Sequence, residues 1–233
     1  MLITKPTEYK TQQELIESLS RRLLMVWSEF DSSLNQVPII NKIQNGNIRT
    51  EDYKNFLLNI RQQVVEGSGW ISRAASNISE EFFDLRSTFL KHSVSEHKDF
   101  QLLERNYLSL GGDLTEIQNQ EKNIGSEALS AFMYYEASKS NPFHLLGSMF
   151  IIEGLGQRKA LEWGKKIKDI LKLQNEQISF LLYHGENDDN HMQEFYETLA
   201  KLPLNKELVN KTIKTAKVTA RLYKLQLEEI GNY

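Results

Sequence analysis

Apolar residues recur along most of the chain with the three-to-four-residue period of an α-helix. One clear series comprises Phe56, Leu57, Ile60, Val64, Ile71 and Ala75. No segment shows the strict alternation of apolar and polar residues that is typical of a half-buried β-strand. The four prolines all fall where helix boundaries are expected, at Pro6, Pro38, Pro142 and Pro203. The pattern therefore predicts an all-α protein.

Capping and helix-breaking residues divide this pattern into about seven long helices. Thr11 and Glu14 form a capping-box pattern at the start of the first helix, and Gly111-Gly112 ends the third. The helices are predicted over approximately 11–30, 50–77, 79–110, 115–138, 142–168, 174–201 and 205–230, with a short helix in the connector before residue 45. No repeat or flexible linker interrupts them, so residues 1–233 are expected to form a single helical bundle domain.

Composition excludes several classes of protein. The net charge of −3 provides no basic surface for nucleic acid. No apolar run approaches the roughly 20 residues that span a bilayer, and the N-terminus has no signal-peptide hydrophobic region. A cytoplasmic protein without membrane contact is expected. The chain has no cysteine, which excludes disulfides, thiolate metal ligands and cysteine nucleophiles.

The most informative motif is the stretch that contains His184, Asp188 and His191. Their spacing of i, i+4, i+7 places all three on one face of a helix. Phe180, Leu181, Phe195 and Leu199 extend the same face, so this face is expected to be buried. Buried polar groups need partners, and a metal ion suits two imidazoles and a carboxylate. The alternative is a polar helix surface, which would follow if the helix broke at Gly185.

Two further residues occupy helix faces that the apolar pattern places inside. Leu146, Phe150 and Glu153 are spaced i, i+4, i+7, and the glycines at 147, 154 and 156 would let a helix or a ligand approach closely. Leu90, Val94 and His97 have the same spacing, so His97 is predicted to point inward. The alternatives are a structural carboxylate at Glu153 and a hydrogen-bonded core histidine at His97. His92 and His144 are interpreted as surface or supporting residues.

Glu66 is a weaker candidate ligand. It lies in Val64-Val-Glu66-Gly67-Ser-Gly69, where glycines inside a helix point to a packing or functional requirement. The neighbouring apolar residues place it beside the core stripe, so a metal ligand and a boundary salt-bridge residue fit equally well. The candidate metal ligands are thus Glu66, His97, Glu153, His184, Asp188 and His191. This nitrogen and oxygen set suits iron or manganese, and it exceeds the needs of one four-coordinate zinc ion, which implies two metals.

These residues resemble the heme-oxygenase-like diiron oxidases and oxygenases, also called iron-containing redox enzymes, to which the chlamydial death-domain-associating protein is related. The resemblance spans roughly residues 35–200. It rests on His97 followed by Leu110-Gly-Gly, on Leu146-Gly-Ser-Met-Phe-Ile-Ile-Glu153-Gly and on His184-x3-Asp188-x2-His191. It implies a heme-oxygenase-like bundle of about seven helices that activates O2 at a non-heme diiron centre.

The resemblance also assigns individual ligands. His184, Asp188 and His191 match the family's last ligand helix, Glu153 the carboxylate of the preceding helix, and His97 the first histidine. The chain departs from the family at the first carboxylate, which in many members precedes that histidine on the same helix, where this chain has Leu90 and Val94. Either Glu66 substitutes for it, or one iron site is incomplete.

Related branches of the superfamily fit less well. Heme oxygenases use an axial histidine near the N-terminus, but no histidine precedes His92 in this chain. Thiaminase-II-like proteins use a cysteine nucleophile, which is absent. Ferritin-like diiron proteins carry Glu-x-x-His pairs, and this chain has none. These differences favour the diiron oxygenase branch.

The preferred hypothesis is an oxidase or oxygenase in which two iron ions, or manganese instead, use O2 to oxidise a small organic substrate. Glu153, His184 and Asp188 would take the catalytic positions. The resemblance suggests an amino acid, amine or fatty acid as substrate, a biosynthetic pathway and a homodimer. One alternative is a non-catalytic helical protein that binds a metal or a partner. Another is a cofactor-independent oxidase of the same fold, whose histidines contact an organic ligand.

Overall fold

The structure is a computed structural model that describes residues 11–232, apart from the side chains of residues 187–193. Every regular element in the described range is helical, which confirms the predicted all-α class. The α-helices are α1 (Gln12–Leu34), α2 (Pro38–Gln44), α3 (Thr50–Val64), α4 (Gly67–Ser76), α5 (Phe83–Ser95), α6 (Phe100–Ser109), α7 (Leu114–Asn119), α8 (Ile124–Ala137), α9 (Leu146–Leu155), α10 (Leu161–Leu171), α11 (Ser179–Lys201) and α12 (Lys206–Glu228).

The helices outnumber the predicted seven because several predicted helices are interrupted. A turn at Val65 and Glu66 separates α3 from α4, next to glycines that form helix poorly. A 3₁₀ turn at Glu96–Lys98 lies between α5 and α6. A π-helical segment at Gly156–Ala160 joins α9 to α10. Such 3₁₀ and π segments are frequent at functional sites, because they change the direction of side chains without ending the helical path.

The first helix begins as the sequence predicts. The hydroxyl of Thr11 accepts a hydrogen bond from the backbone N–H of Glu14 at 3.2 Å, and the Glu14 carboxylate accepts one from the backbone N–H of Thr11 at 2.8 Å. The helix continues to Leu34, one turn beyond the predicted end. It buries an apolar stripe made of Leu19, Leu23, Val26, Trp27, Phe30 and Leu34.

The last helix, α12, packs against α1, α8 and α9. Two glycines make this packing close. A Cβ atom added to Gly147 in α9 would lie 2.2 Å from the backbone oxygen of Thr212, and one added to Gly125 in α8 would lie 2.1 Å from the backbone nitrogen of Gln226. The prediction that Gly147 permits close helix approach is confirmed.

The helix that carries His184, α11, packs against α6, α9, α10 and the π-helical segment. At this contact a Cβ atom on Gly185 would lie 2.6 Å from the Cβ atom of Leu161, so the two helices approach at their backbones. The buried residues Phe180, Leu181, Phe195 and Leu199 confirm the predicted apolar face of this helix. None of the helices in the described range is both long enough and apolar enough to cross a membrane.

Candidate metal centre

A continuous buried stripe runs along α5 and α6 and carries three potential metal ligands. Its members recur at i, i+4, i+7, i+11, i+14 and i+18, namely Leu85, Phe89, His92, Glu96, Asp99 and Leu103. His92 and Asp99 are buried, and Glu96 is partly buried in the 3₁₀ turn between the helices. The 3₁₀ turn therefore keeps the three polar side chains on the side that faces the core.

The prediction that Leu90, Val94 and His97 face the core is wrong. Leu90 is 48% exposed, Val94 is 76% exposed, and His97 lies on the surface. Leu90 and Val94 are apolar but exposed, so their spacing imitates a buried helix face and gives the wrong register. His92, interpreted as a surface or supporting residue, takes the inward position instead.

The opposite wall of the site comes from α9. Glu153 is buried, and it shares one helix face with the buried Leu146 and Phe150, as the sequence predicts. Its Oε1 atom lies 3.2 Å from Nε2 of His92. The packing of α9 between α11 and α12 holds this carboxylate against α5.

His184 projects into the site from α11. Its Nδ1–H donates a hydrogen bond to the backbone oxygen of Phe180 at 3.0 Å, because a carbonyl oxygen can only accept. This bond directs Nε2 toward Asp99, whose Oδ2 atom lies 3.3 Å away. The Phe180 ring packs on the imidazole with a centroid separation of 4.3 Å. A hydrogen bond that fixes one ring nitrogen and presents the other is the usual arrangement of a metal-binding histidine.

These side chains form two overlapping clusters. His92, Glu96 and Glu153 place their ligand atoms within 4.8 Å of one another, and so do Glu96, Asp99 and His184. Glu96 belongs to both. A carboxylate shared between two histidine-and-carboxylate sets is the arrangement by which helical bundles hold a pair of metal ions. The donor set is oxygen and nitrogen only, which fits iron or manganese.

The electrostatics of the site also fit a cation. Burial, followed by the nearby negative charge of Glu153, raises the pKa of Glu96 to about 7. Three carboxylates therefore crowd a region that solvates their charges poorly, and a metal ion in their midst would relieve both effects.

Glu66 lies outside both clusters among the residues whose side chains are described. Its carboxylate forms an ion pair with Lys122, and its second oxygen, Oε2, is buried without a hydrogen-bond partner. Glu66 lies in the turn between α3 and α4. The structure thus favours the salt-bridge interpretation of this residue over the metal-ligand one.

Asp188 and His191 lie outside the described side chains. Helix α11 continues through both positions to Lys201, so the break at Gly185 that the alternative interpretation requires does not occur. Their assignment as ligands stays a prediction from the motif spacing.

Next to the clusters lies a cavity with about 810 Å³ of empty space, including its mouth. Glu96, Glu153 and His184 line one part of it. Most of the remaining wall is apolar and includes Phe56, Ile60, Trp70, Ile152, Trp163 and Leu227. A largely apolar cavity with a few convergent polar groups is the usual form of a small-molecule site.

Three of the clustered residues were not predicted as ligands, although their spacing in the sequence indicates a ligand motif. His92, Glu96 and Asp99 have the spacing His-x3-Glu-x2-Asp, which matches His184-x3-Asp188-x2-His191. Comparing the spacing of the two histidine stretches would have found them. The family resemblance predicts a carboxylate one to three turns before the first histidine ligand. In this structure the clustered carboxylate, Glu96, lies one turn after His92.

The model of a family described as iron-containing redox enzyme matches residues 91–224, which include all five clustered side chains. None of the curated proteins matches the sequence significantly.

Several solved structures share the fold. A domain of unknown function with a heme oxygenase-like fold from Shewanella denitrificans is 18% identical, with a TM-score of 0.85 and 92% of each chain covered. A TenA homolog from Pseudomonas syringae pv. tomato is 13% identical, with a TM-score of 0.77, over 100% of this chain and 99% of that one. Heme oxygenase-1 from the cyanobacterium Synechocystis, in complex with heme, is 13% identical, with a TM-score of 0.70 and 92% of each chain covered.

At these identities the structural neighbours establish the fold alone, and the fold is the heme-oxygenase-like helical bundle expected from the sequence. The family match covers more than half of the chain and includes the helices that carry the clustered ligands. The chain belongs to the iron-containing redox enzyme family.

Proposed function

We propose that the protein is a non-heme diiron oxidase or oxygenase that uses O2 to oxidise a small organic substrate. The observation that carries this proposal is the position of Glu96 in both ligand clusters. One carboxylate within reach of two histidine-and-carboxylate sets suits two adjacent ions, whereas a single ion would need only one set.

The chain supplies ligands for each ion from different helices. His92 and Glu153 would hold one ion, Asp99 and His184 the other, and Glu96 both. Asp188 and His191 are proposed to complete the coordination from α11, as the motif spacing predicts. Iron bound here would supply the redox chemistry that lets O2 react with an otherwise inert organic molecule.

The surrounding residues position these ligands and the substrate. The hydrogen bond to Phe180 sets the orientation of His184, which keeps Nε2 available for a metal. Because Glu96, Glu153 and His184 also line the cavity, a substrate bound there would lie directly beside the metal centre. The apolar wall would exclude water from that substrate and so limit side reactions.

The family match supports a redox role. A TenA-like hydrolytic role that depends on a cysteine is disfavoured, because the chain contains no cysteine. The two alternatives are a non-catalytic metal-binding protein and a cofactor-independent oxidase, and each predicts a different outcome of the following experiment.

The deciding experiment is an anaerobic titration of the iron-free protein with Fe(II), followed by mixing with O2 and measurement of oxygen uptake. Two irons per chain with rapid O2 uptake are expected. Two irons without O2 uptake would replace the proposal with a non-catalytic metal-binding role. No iron binding, with an organic ligand in the cavity, would replace it with a cofactor-independent one. A parallel titration with Mn(II) identifies the preferred metal.

A further inference from the structure

One buried side chain in the wall of the cavity carries a hydrogen-bonding group that the protein itself does not use. Gln63, in the last turn of α3, lines the cavity and is only 8% exposed. Its side-chain amide forms no hydrogen bond with any described residue, and both its oxygen and its nitrogen keep accessible surface. Native structures rarely keep a buried amide in this state unless a water or a ligand completes it.

The amide of Gln63 is open to the cavity. Helix α3 holds the backbone of this residue, whose carbonyl oxygen accepts a hydrogen bond from the N–H of Glu66 at 3.2 Å, so the part that reaches the cavity is the side chain. Gly67 lines the same cavity four residues later, and a Cβ atom there would meet nothing within 4 Å. The protein leaves space beside Gln63, and a molecule in the cavity can reach its amide.

The charges of the cavity wall are confined to the clusters. Among the described side chains that line the cavity, the ionisable groups at neutral pH are Glu96, Glu153 and His184, which all belong to the clusters. No lysine or arginine of the described part contributes to the wall. A charged group placed against Gln63 would therefore be buried without an opposite charge, which is unfavourable, whereas a neutral polar group would not.

We infer that the cavity takes an uncharged, mostly apolar molecule that carries a carboxamide group, and that Gln63 binds this group through two hydrogen bonds. Nε2 of Gln63 donates one bond and Oε1 accepts the other. A carboxamide suits this position because it offers an acceptor and a donor side by side, as the Gln63 amide does. This inference rests on the proposed function in so far as the molecule is its substrate.

Gln63 thus acts as a specificity residue. The aromatic and aliphatic wall, including Phe56, Trp70 and Leu227, surrounds the rest of the molecule and accepts many apolar shapes. An analogue that lacks the donor or the acceptor leaves one atom of the buried amide without a partner, so it binds more weakly than the carboxamide.

The test uses three probes of nearly the same shape. Benzamide carries an acceptor and a donor, acetophenone carries the acceptor alone, and α-methylstyrene carries neither. Each is titrated by calorimetry into the full chain, iron-free and loaded with Fe(II) without O2. Gln63→Met keeps the length of the side chain and removes its amide. At about fivefold for each hydrogen bond lost, it should weaken benzamide about 25-fold, acetophenone about fivefold and α-methylstyrene less than about twofold. Comparing each probe between the two proteins cancels the different hydration of the probes.

Gln62→Met is the matched control. Gln62 is also buried in α3, but its Nε2 already donates to the backbone oxygen of Ile117 at 2.6 Å, and it is not among the residues that line the cavity. Its substitution should affect the three probes alike. Benzoate tests the charge, because it has nearly the shape of benzamide. It should bind the iron-free protein at least about tenfold more weakly, since its charge lacks a partner.

A second measurement does not depend on the folding of Gln63→Met. In a crystal structure of the iron-free wild type with benzamide, the carboxamide of the probe should pair with both polar atoms of the Gln63 side chain. The phenyl ring should lie against the apolar wall. A probe whose carboxamide points away from Gln63 would contradict the inference.

Three further results would overturn the inference. These are equal losses of all three probes in Gln63→Met, benzoate binding as tight as that of benzamide, and no binding of benzamide to the wild type. Iron stoichiometry is measured on the same samples. Two bound irons without the expected dependence of benzamide on Gln63 would refute the ligand inference alone, whereas that dependence without iron binding would refute the proposed function alone.

Discussion

Nε2 of His92 lies 3.2 Å from Oε1 of Glu153, although the two residues belong to helices that are far apart in the sequence. This contact links α5 to α9, and it follows from the register of α5 that turns His92, and not His97, toward the core. The same register places Glu96 one turn further along, where the carboxylate reaches toward His184 as well. The metal centre that we propose depends on this register.

The register itself can be tested with two neighbouring histidines. His92→Ala removes a proposed ligand and should lower iron binding from two ions per chain to about one. His97→Ala changes an exposed residue on the same segment and should leave two ions bound. Iron is quantified after anaerobic loading and desalting. Loss of iron only in the His97 variant would instead show that His97 faces the metal centre, as the spacing of Leu90, Val94 and His97 predicts.

Glu66 should contribute to stability and not to metal binding. Glu66→Gln removes the charge that pairs with Lys122, in a partly buried position, so the free energy of unfolding should fall by about 1 kcal/mol. The number of bound irons should not change. Urea unfolding and iron quantification on the same variant check both statements. A loss of iron with unchanged stability would show that Glu66 substitutes for the missing family carboxylate.

The close contact of α9 with α12 should tolerate no side chain at residue 147. In Gly147→Ala the new Cβ atom would lie 2.2 Å from the backbone oxygen of Thr212, so the helices must separate. We expect a loss of about 2 kcal/mol in urea unfolding and weaker iron binding, because α9 carries Glu153.

Gly67→Ala is the matched control for that substitution. Nothing lies within 4 Å of a Cβ atom at Gly67, and alanine favours the helix, so stability should stay equal or rise by up to about 1 kcal/mol. Similar destabilisation in both variants would mean that the contact at Gly147 does not limit the approach of the helices.

His144 should make the fold sensitive to acid. It is 1% exposed, and its Nε2 lies 2.6 Å from Oε2 of Glu136. Burial, together with the positive charge of Lys211, lowers the pKa of His144 to about 4. In the unfolded chain the pKa is about 6.5, so below that pH the unfolded state binds the additional proton. The stabilising contribution is therefore complete above pH 6.5 and decreases as the pH falls toward 4.

The variant His144→Gln keeps an N–H donor for Glu136 and removes this titration. Between pH 7 and pH 5.5 the free energy of unfolding of the wild type should fall by about 1 kcal/mol more than that of the variant. Urea unfolding at several pH values measures the difference. Parallel pH profiles for the two proteins would contradict the assignment of the acid sensitivity to His144.

Much of this architecture could be predicted from the sequence, and the failures have physical causes. On α11 the apolar stripe is clear, so the inward position of His184 follows from helical periodicity. Helix α9 is apolar and buried on nearly all sides, so Glu153 is buried whatever register is chosen for it. On α5 the exposed Leu90 and Val94 imitate a buried stripe. Periodicity cannot distinguish an exposed leucine from a buried one, and only the packing of α5 against α4 and α11 resolves the register.

The interrupted helices were equally difficult to predict. The 3₁₀ turn at Glu96–Lys98 contains no proline or glycine, so its local sequence does not predict an interruption of the helix. The turn before α4 does have a signal in Gly67, but the apolar series continues across it and favours an unbroken helix.

The most direct test of the central claim is the iron content of Glu96→Gln, measured with that of the wild type after anaerobic loading with Fe(II). The amide keeps the size of the side chain but loses the charge that would bridge two ions. Two irons per chain in the wild type, at most one in the variant and no O2 uptake by the variant are the predicted results. Two irons in the variant, with O2 uptake intact, would contradict the claim that Glu96 is shared by two metal ions.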